Sequence, residues 1–359
     1  MGLQEKLAEL EKELGRTQKN KATEFHIGIL KSKIAQIRKE LLMPKKGGAS
    51  GGGFDVKKSG DATVAIIGLP SVGKSTLLTK ITKAESKVAA YDFTTLTCIP
   101  GIMEYKNAKI QVLDLPGIIE GAKEGKGRGR EIIAVARSAD LILILLDAQH
   151  PHQYHMIVNE LEGFGIRLNK SKPNIVIGKG AKGGINIEKT VKLTKITERG
   201  IVAVLNEYGI YTADIVFRVD AGVDELIDVL DANRAYIPSI VAVNKIDLVK
   251  NKKIDLAVPY LGISAEKDVG IDDLKEKIFQ ALKLIKIFTK RRGEDADLNE
   301  PLIVKNGITI AGVCDSLHRD LKRDFKFALV WGKSAKHPGQ RVGLEHILKD
   351  GDIVQIVKK

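Results

Sequence analysis

Cysteine, aromatic residues and long apolar stretches are all scarce in this chain. Its 359 residues include two cysteines and one tryptophan, and aromatic residues make up 5% of the total. The two cysteines, Cys98 and Cys314, lie far apart and provide no disulfide framework of the kind that small secreted domains use. No run of about 18 apolar residues is present, which argues against a membrane-spanning helix. The charged N-terminus lacks the apolar segment of a signal peptide. The sequence therefore predicts a cytoplasmic protein without a membrane partner.

Positive charge, in contrast, is abundant. The formal net charge is +13, from 58 Lys and Arg residues against 45 Asp and Glu residues. Such an excess favours an anionic partner, with RNA as the leading candidate and a lysine-rich soluble surface as the alternative. With 43% hydrophobic and 29% charged residues, the composition is that of a soluble globular protein. The length allows two to four domains.

Residues 1–57 are expected to form a basic helical hairpin and a glycine-rich linker. Leucine and isoleucine recur at steps of three and four residues in two segments, separated by a polar stretch from Gly15 to Thr23. The first 60 residues carry 13 Lys and Arg against 7 Asp and Glu, nearly half of the net positive charge. The hairpin is either a solvated helical face or an arm that docks RNA or a protein. Glycines between residues 47 and 53 predict a flexible linker.

A phosphate-binding loop is predicted after the first strand. Residues 64–67 are typical of a buried strand, and residues 68–75 match G-x-x-x-x-G-K-[ST] at the start of a helical segment. The glycines let successive N–H groups point at phosphate oxygens, and the helix start adds a positive dipole. Lys74 is expected to reach the β- and γ-phosphates and Ser75 to bind Mg²⁺. The predicted nucleotide-binding residues here are Gly68, Leu69, Pro70, Ser71, Val72, Gly73, Lys74, Ser75 and Thr76.

Later segments are expected to respond to the γ-phosphate. The hydroxyl-rich stretch 91–97 can supply a threonine oxygen to Mg²⁺. Asp114, at the end of the apolar strand 110–113, corresponds to an acidic residue of the Walker B type. The N–H group of Gly117 is suited to contacting the γ-phosphate. Residues 121–130 interleave glycine with Lys and Arg, and we expect them to become ordered only when ligand or partner binds.

Guanine specificity is predicted from a motif after another buried strand. The apolar residues 240–243 lead into Asn244, Lys245 and Asp247. The Asp247 carboxylate can accept hydrogen bonds from N1–H and the exocyclic amine of guanine. Adenine has no matching donor pair, which costs roughly 1–3 kcal/mol or more. Asn244 and Lys245 are expected to support the loop and cover the ring. A backbone N–H in the later segment can meet the guanine O6, and the residues of that segment are Ser264, Ala265 and Glu266.

These four motifs, in this order, predict a GTP-binding domain of the small-GTPase type. We expect an α/β fold with a doubly wound parallel sheet over residues 58–164 and 233–288. The 130 positions from Asp114 to Asn244 exceed what about two βα units need. The excess, residues 165–232, is predicted to be an inserted α+β subdomain. Its short strands are expected at 175–177, 185–187, 202–205 and 215–219.

Residues 289–359 are expected to form a small β-grasp module. Strands are predicted at 302–304, 307–310, 327–330 and 353–357, with a helix at 316–324. Small appended modules of this kind usually bind a partner. The basic residues that the module offers for this purpose are Lys290, Arg291, Arg292, Arg319, Lys322 and Arg323.

Together these stretches resemble the developmentally regulated GTP-binding protein family, a branch of the Obg-type GTPases, and its archaeal members in particular. The resemblance covers essentially the whole chain and is carried by GLPSVGKSTLL, YDFTTLTCIPG, DLPGIIEGA, KGRGREIIAVAR, YIPSIVAVNKID, FALVWGKSAKHPGQRVG and DGDIVQIVKK. It implies an insertion similar to a ribosomal protein S5 domain and a C-terminal TGS domain. It also implies GTP and GDP binding with Mg²⁺, association with ribosomes or RNA, and a dedicated regulatory protein.

The resemblance adds expectations about catalysis. By the family motif, Thr95 joins Ser75 as a Mg²⁺ ligand, beside the metal-binding Asp114, with Thr94 a less favoured candidate. Lys74, Thr95 and Gly117 are the expected catalytic residues. Ile118 stands where many GTPases have a glutamine that orients the attacking water, so slow intrinsic hydrolysis is predicted. K⁺ is implied as an additional cation, although K⁺-using relatives often carry Asn at the position of Ser71.

Two functions follow from this reading of the sequence. In the first, the protein is a Mg²⁺-dependent GTPase that acts as a ribosome- or RNA-associated switch. In the second, it is a ribosome-docking scaffold in which GTP binding is mainly structural.

Overall fold

The computed structural model describes residues 2–18, 20, 23–42, 59–82, 99–115, 128–180, 183–249, 254–291 and 293–358. They fall into two compact units. The first contains the described parts of residues 1–53 and 155–237, and the second contains the described parts of 54–154 and 238–359. Each unit has its own hydrophobic core.

A six-stranded sheet lies at the centre of the second unit. Its strands are β1 (Ala62–Ile67), β2 (Ile99–Tyr105), β3 (Ala108–Asp114), β4 (Leu141–Asp147), β10 (Ser239–Asn244) and β11 (Leu261–Gly262). The spatial order is β11-β10-β4-β1-β3-β2, and all neighbours are parallel except β2, which pairs antiparallel with β3. The accompanying helices are α3 (Lys74–Ile81), α4 (Arg128–Ser138) and α8 (Ile271–Leu282), whereas most of α5 (Gln153–Gly163) belongs to the first unit. The predicted doubly wound α/β fold is confirmed.

Both faces of this sheet are buried, which explains why its strands are almost continuously apolar. Residues of α3 and α8, among them Leu77 and Leu274, share one core cluster with Val64 on β1. Ala65 and Ile142, which point to the opposite face, are also fully buried. Because β1, β3, β4 and β10 are parallel, their carboxyl ends lie at the same edge, where ligands bind in folds of this kind.

The first unit joins the N-terminal hairpin to the insertion. Helices α1 (Leu3–Arg16) and α2 (Glu24–Leu42) form the predicted hairpin, with Arg38 Nη2 2.6 Å from Glu11 Oε1. Helix α2 also packs on the insertion: Lys31 Nζ lies 2.6 Å from Asp224 Oδ2, and Glu24 accepts a 2.8 Å hydrogen bond from the N–H of Thr197. The hairpin and the insertion therefore share one core, a connection that was not predicted from the sequence.

The insertion contains a three-stranded sheet and two helices. Strands β6 (Ile175–Lys179), β7 (Ile185–Lys189) and β8 (Ala213–Phe217) have the order β6-β8-β7, and short strands β5 (Ile166–Leu168) and β9 (Ala235–Ile237) pair with each other. The helices are α6 (Glu198–Glu207) and α7 (Val223–Asp231). The strand predicted at 202–205 was wrong, because this segment lies within α6. The Thr197 side chain caps that helix, and Ile201, Val204 and Leu205 are buried at helical spacing. Tertiary packing therefore overrides the strand preference of β-branched residues.

A buried ion cluster stabilises the first unit. Asp228, which is 6% exposed, accepts hydrogen bonds from Arg167 at 2.7 and 2.6 Å and from Arg234 at 2.8 Å. Arg234 also bonds Asp231 at 2.6 Å, and Asp231 accepts a hydrogen bond from the hydroxyl of Tyr208. Burial, followed by the Asp231 charge, raises the pKa of Tyr208 far above its ordinary value. Each carboxylate thus has a cationic partner, as buried charges require.

The C-terminal part of the second unit is a five-stranded mixed sheet with two helices. Strands β12 (Leu284–Lys290), β13 (Ala296–Lys305), β14 (Phe325–Trp331), β15 (Gln340–Val342) and β16 (Ile353–Lys358) have the order β13-β12-β16-β14-β15, and the helices are α9 (Ile310–Leu317) and α10 (Arg319–Arg323). The strand predicted at 307–310 was wrong: Thr309 caps α9 by accepting a 3.3 Å hydrogen bond from Gly312 N–H. The helix predicted at 316–324 corresponds to two helices. It overlaps the last two residues of α9 and the whole of α10. The predicted domain start at 289 falls inside β12.

Candidate nucleotide-binding site

The phosphate-binding loop connects β1 to α3, and its glycines occupy crowded positions. A Cβ at Gly68 would lie 2.5 Å from the carbonyl oxygen of Leu145. At Gly73 the φ angle is +93°, and a Cβ would lie 2.5 Å from Nδ2 of Asn244. Only glycine avoids both the steric clash and the left-handed strain. Ser71 also has a positive φ, and the side chains of Pro70, Ser71 and Thr76 are exposed.

Lys74 and Ser75 lie at the start of α3 and bond to the loop and to the end of β3. Nζ of Lys74 donates hydrogen bonds to the carbonyl oxygens of Gly68 at 3.1 Å and Leu69 at 3.0 Å. The Ser75 hydroxyl donates a 2.9 Å hydrogen bond to Oδ2 of Asp114. The structure therefore brings the two predicted phosphate-loop residues together with the predicted acidic residue at the end of β3.

The hydroxyl of Ser75 and the carboxylate of Asp114 form a donor set suited to Mg²⁺. Asp114 is 7% exposed, and its Oδ1 is buried with no hydrogen-bond partner among the described residues. A buried carboxylate oxygen without a donor is costly unless a cation satisfies it. Hard oxygen ligands are those that Mg²⁺ prefers. The residues present therefore fit a magnesium ion.

Asn244, at the end of β10, ties together three of the predicted motifs. Its Nδ2 donates a 2.9 Å hydrogen bond to the carbonyl oxygen of Val72, and its Oδ1 accepts a 2.9 Å hydrogen bond from the N–H of Ala265. Both bonds are buried. A backbone N–H of the 264–266 segment was predicted to contact guanine O6. In the structure the Ala265 N–H is bonded to Asn244, and the base contact stays a prediction.

Lys245 connects the same region to Asp147, an acidic residue that was not predicted from the sequence. Nζ of Lys245 donates 2.7 Å hydrogen bonds to the Ser71 carbonyl oxygen and to Oδ2 of Asp147. Burial alone would raise the pKa of Asp147, but hydrogen bonds from Lys245 and from the Gln149 N–H outweigh it and lower this pKa below its ordinary value. Asp147 ends the apolar run of β4, and an acidic residue at the carboxyl end of a buried strand was the signal that could have identified it.

The side chain of Asp247, predicted to bind guanine, is held by its neighbours. A hydrogen bond from the Ser264 hydroxyl is the main reason that the pKa of Asp247 lies below its ordinary value. Nζ of Lys267 lies 3.6 Å from its Oδ2. Lys245, two residues earlier, has a φ of +64°, so the chain turns sharply at this motif. Asp247 is therefore an ionised carboxylate whose orientation Ser264 supports, while Glu266 is exposed.

Several predicted site residues lie outside the described residues. These are Thr94, Thr95, Gly117 and Ile118, together with the glycine-rich segment up to residue 127. The described residues assemble the base motif and the phosphate loop at one sheet edge, so the arrangement can hold a purine nucleotide by its base and phosphates. No group of three or more His, Cys, Asp or Glu side chains in the described ranges is arranged to bind a metal. Metal binding there would therefore involve the phosphates as well as Ser75 and Asp114.

Comparisons with known proteins agree with this geometry. A family model described as 50S ribosome-binding GTPase matches residues 63–179, a model for the C-terminal region of the same domain matches 182–284, and a TGS domain model matches 285–358. Within the part of the chain that the structure describes, no helix is long and apolar enough to cross a membrane.

Full-length relatives are similar throughout. A developmentally-regulated GTP-binding protein 1 homolog of Dictyostelium discoideum is 52% identical, and developmentally-regulated GTP-binding protein 2 of Homo sapiens is 50% identical, with all of both chains covered in each comparison. An uncharacterised GTP-binding protein of Methanocaldococcus jannaschii is 51% identical over all of this chain and 94% of its own. The archaeal and eukaryotic relatives are about equally similar to this chain.

Proposed function

Because the chain belongs to the developmentally regulated GTP-binding protein family, and is therefore a GTP-binding P-loop GTPase with a TGS domain, we propose that it works as a nucleotide-controlled switch on the ribosome or on RNA. The observation that carries the proposal is the pair of hydrogen bonds made by Asn244, which joins the phosphate loop to the 264–266 segment. Through these bonds, occupancy of the phosphate loop is coupled to the base-binding loops.

In the proposed mechanism, the chain binds and orients the nucleotide through its own dipoles and charges. The backbone N–H groups of residues 71–75 and the Lys74 ammonium neutralise phosphate charge, which stabilises the transition state of phosphoryl transfer. Asp247 accepts hydrogen bonds from the guanine edge, while Ser264 holds the carboxylate and Lys245 covers the ring. Thr95 and Gly117 are proposed to contact the γ-phosphate side and to be released after hydrolysis.

Mg²⁺ is the proposed metal ion, held by Ser75 and Asp114 with Thr95 as a further ligand. The ion held by these residues would supply positive charge that offsets the negative charge of the phosphates. The unpaired Oδ1 of Asp114 supports this assignment. K⁺ is proposed as an additional stimulating cation. Since Ile118 offers no hydrogen bond to water, we expect slow intrinsic hydrolysis that a partner accelerates.

RNA or the ribosome is the proposed partner, with a dedicated regulatory protein of the family as a second one. The net charge of +13 and the TGS match support an anionic partner. We further propose the domain division given above: residues 1–57, 58–164 with 233–288, 165–232 and 289–359. We also propose a cytoplasmic location.

A co-sedimentation assay tests the switch against the scaffold alternative. The full chain is mixed with ribosomes in the presence of GDP or a non-hydrolysable GTP analogue, and the bound fraction is measured. A switch binds more strongly in one nucleotide state, whereas binding that ignores the nucleotide favours the scaffold. Lys74→Ala should abolish GTP hydrolysis, and its binding to ribosomes should no longer depend on the nucleotide. Lys80→Ala, which removes an exposed lysine of the same helix that pairs with Asp268, serves as the matched control. Unchanged hydrolysis in Lys74→Ala would refute the assignment of the phosphate loop.

A further inference from the structure

The TGS sheet has one face covered by helices and an opposite face that is buried only in part. On that opposite face, Leu284 and Ile303 pack into the core of the six-stranded sheet and Gln355 is 8% exposed, while the side chains discussed next are partly exposed. Ala328 and Val330 of β14 pack with Ile310 and Val313 of α9 and with Val354 of β16 in the TGS core. Leu321 of α10 packs against the same core. Among the described residues of this domain, both helices therefore lie on one side of the sheet.

Aromatic and aliphatic side chains lie on the opposite face. Because side chains alternate along a strand, Phe327, Leu329 and Trp331 point away from Ala328 and Val330, and all three are partly exposed. Ile353 on the neighbouring strand β16 pairs with both Trp331 and Phe288 of β12. Cross-strand partners have Cβ atoms about 4.5–5.5 Å apart. Phe288, Ile353 and Trp331 thus form a row across three strands. We call this surface, with Phe327 and Leu329, the open face.

Two cations lie directly over the aromatic rings of the open face. Nζ of Lys290 is 5.2 Å from the ring centroid of Trp331, and the guanidinium carbon of Arg341 is 4.0 Å from that of Phe327. Both distances are in the range of favourable cation–π contacts. The positive charges are therefore held at the aromatic surface.

The nearby carboxylates have structural partners instead. Oδ1 of Asp350 accepts a 2.9 Å hydrogen bond from the N–H of Lys286. Asp352 is fully buried and accepts hydrogen bonds from the N–H groups of Ser334 at 3.2 Å and Lys349 at 2.7 Å. These carboxylates shape the loops at the edge of the sheet, so they do not neutralise Lys290 or Arg341.

The Trp331 ring is also contacted by the chain near Gly339. Gly339 has a φ of +72°, and a Cβ there would lie 3.3 Å from Nε1 of Trp331. The backbone of the β14–β15 connection therefore lies close to the indole. A ring with such neighbours loses less conformational entropy than a free side chain when another planar group stacks on it.

From this juxtaposition we propose that the open face binds single-stranded RNA, an inference that rests on the RNA- or ribosome-directed function proposed above. Unpaired bases stack on aromatic rings and on arginine guanidinium planes, while the ammonium and guanidinium charges neutralise the phosphates. Duplex RNA keeps its base faces stacked inside the helix and cannot use the rings in this way. A strongly apolar protein partner would leave two cations desolvated and unpaired, which is unfavourable.

A charge-reversal pair on the open face, with a matched pair of exposed lysines elsewhere in the TGS domain, tests the proposal. The full chain carries either Lys290→Glu with Arg341→Glu or, as control, Lys326→Glu with Lys349→Glu. Both pairs change the net charge equally. Binding of a fluorescent 12-nucleotide oligouridylate is measured by anisotropy, with an RNA duplex of the same length for comparison. We expect the open-face pair to weaken single-strand binding at least tenfold and the control pair to weaken it less than twofold.

A second variant separates stacking from charge. Phe327→Leu keeps an apolar side chain but removes the ring, and should weaken oligouridylate binding about fivefold or more. Thermal unfolding and GDP binding of each variant are measured alongside, and neither should change. Equal binding by wild type and Phe327→Leu would contradict base stacking at this residue.

The outcomes distinguish this inference from the function on which it rests. If the wild type binds neither oligouridylate nor ribosomes, the proposed function itself fails. If the wild type binds oligouridylate but both charge-reversal pairs weaken it equally, or if duplex binds as tightly as single strand, the open face is not the site. If the open-face variants lose ribosome binding although the wild type ignores oligouridylate, the face does not recognise free single strands and the inference is overturned.

Discussion

Replacement of Asn244 by alanine is the sharpest test of how the nucleotide site is assembled. The side chain is 3% exposed and makes two 2.9 Å hydrogen bonds, to the Val72 carbonyl and from the Ala265 N–H. Alanine removes both bonds and leaves these two backbone groups without their partner. It also removes the Nδ2 atom that lies close to the backbone of Gly73.

The expected loss is about 2–4 kcal/mol. Each hydrogen bond contributes roughly 0.5–1.5 kcal/mol net, and a buried polar group left unsatisfied costs about 1–3 kcal/mol. At 1.4 kcal/mol per tenfold, this corresponds to a loss of roughly 30- to 700-fold, shared between nucleotide affinity and folding stability. Because these bonds position the loops on both sides of the base, we expect most of the loss in affinity for GDP.

The assay is titration with a fluorescent GDP analogue, combined with urea unfolding of the same preparations. Asn299→Ala is the matched control, since Asn299 is exposed on β13 and should leave both quantities unchanged. A GDP affinity within twofold of wild type in Asn244→Ala, with unchanged unfolding, would show that the buried bonds do not organise the site.

Three further predictions concern single residues. Gly73→Ala should lower GDP affinity by more than tenfold, because it adds about 1–2 kcal/mol of left-handed strain to the clash with Asn244. Gly307 has a φ of +85° but open space around it. Gly307→Ala should therefore add only the backbone strain and leave the GDP affinity unchanged in the same titration. Asp228→Asn should destabilise the protein by about 3–5 kcal/mol in urea unfolding, because it uncouples two buried arginines. Asp224→Asn, which removes an exposed partner on the same helix, should have little effect, and equal losses would contradict the buried-cluster argument. Because the pKa of Asp147 is lowered from 3.8, its contribution to stability is complete above about pH 4 and is lost as the pH falls through the folded pKa. The difference in unfolding free energy between wild type and Asp147→Asn should therefore shrink on acidification below pH 4. A difference that grows would reverse the sign of this argument.

Local patterns in the sequence were sufficient where a few neighbouring residues decide the structure. The buried strand before Gly68 and the helix after it follow from apolar runs and from a loop that only glycine can make. The strand predicted at 202–205 failed for the opposite reason. Val202 and Val204 favour strands locally, but the Thr197 cap and burial at helical spacing decide in favour of α6.

The partners of the site residues could not be predicted in the same way. Asp247 and Lys74 stand in short motifs whose residue types reveal their chemistry. Asp147 has no such motif, and its role depends on Lys245, which is 98 positions away in the chain. The open face likewise combines β12, β14, β15 and β16, whose pairing is set by the register of the sheet.

By itself, the sequence determined that this chain holds a nucleotide, the order of its motifs and the sheet on which they stand, because these depend on residues a few positions apart. The tertiary structure alone decided that the N-terminal hairpin shares a core with the insertion, that Asn244 links the loops, and that cations lie over the TGS aromatics. Such contacts form between segments that are distant in the chain and are set by packing and strand register. Neither packing nor register can be inferred from a local sequence pattern.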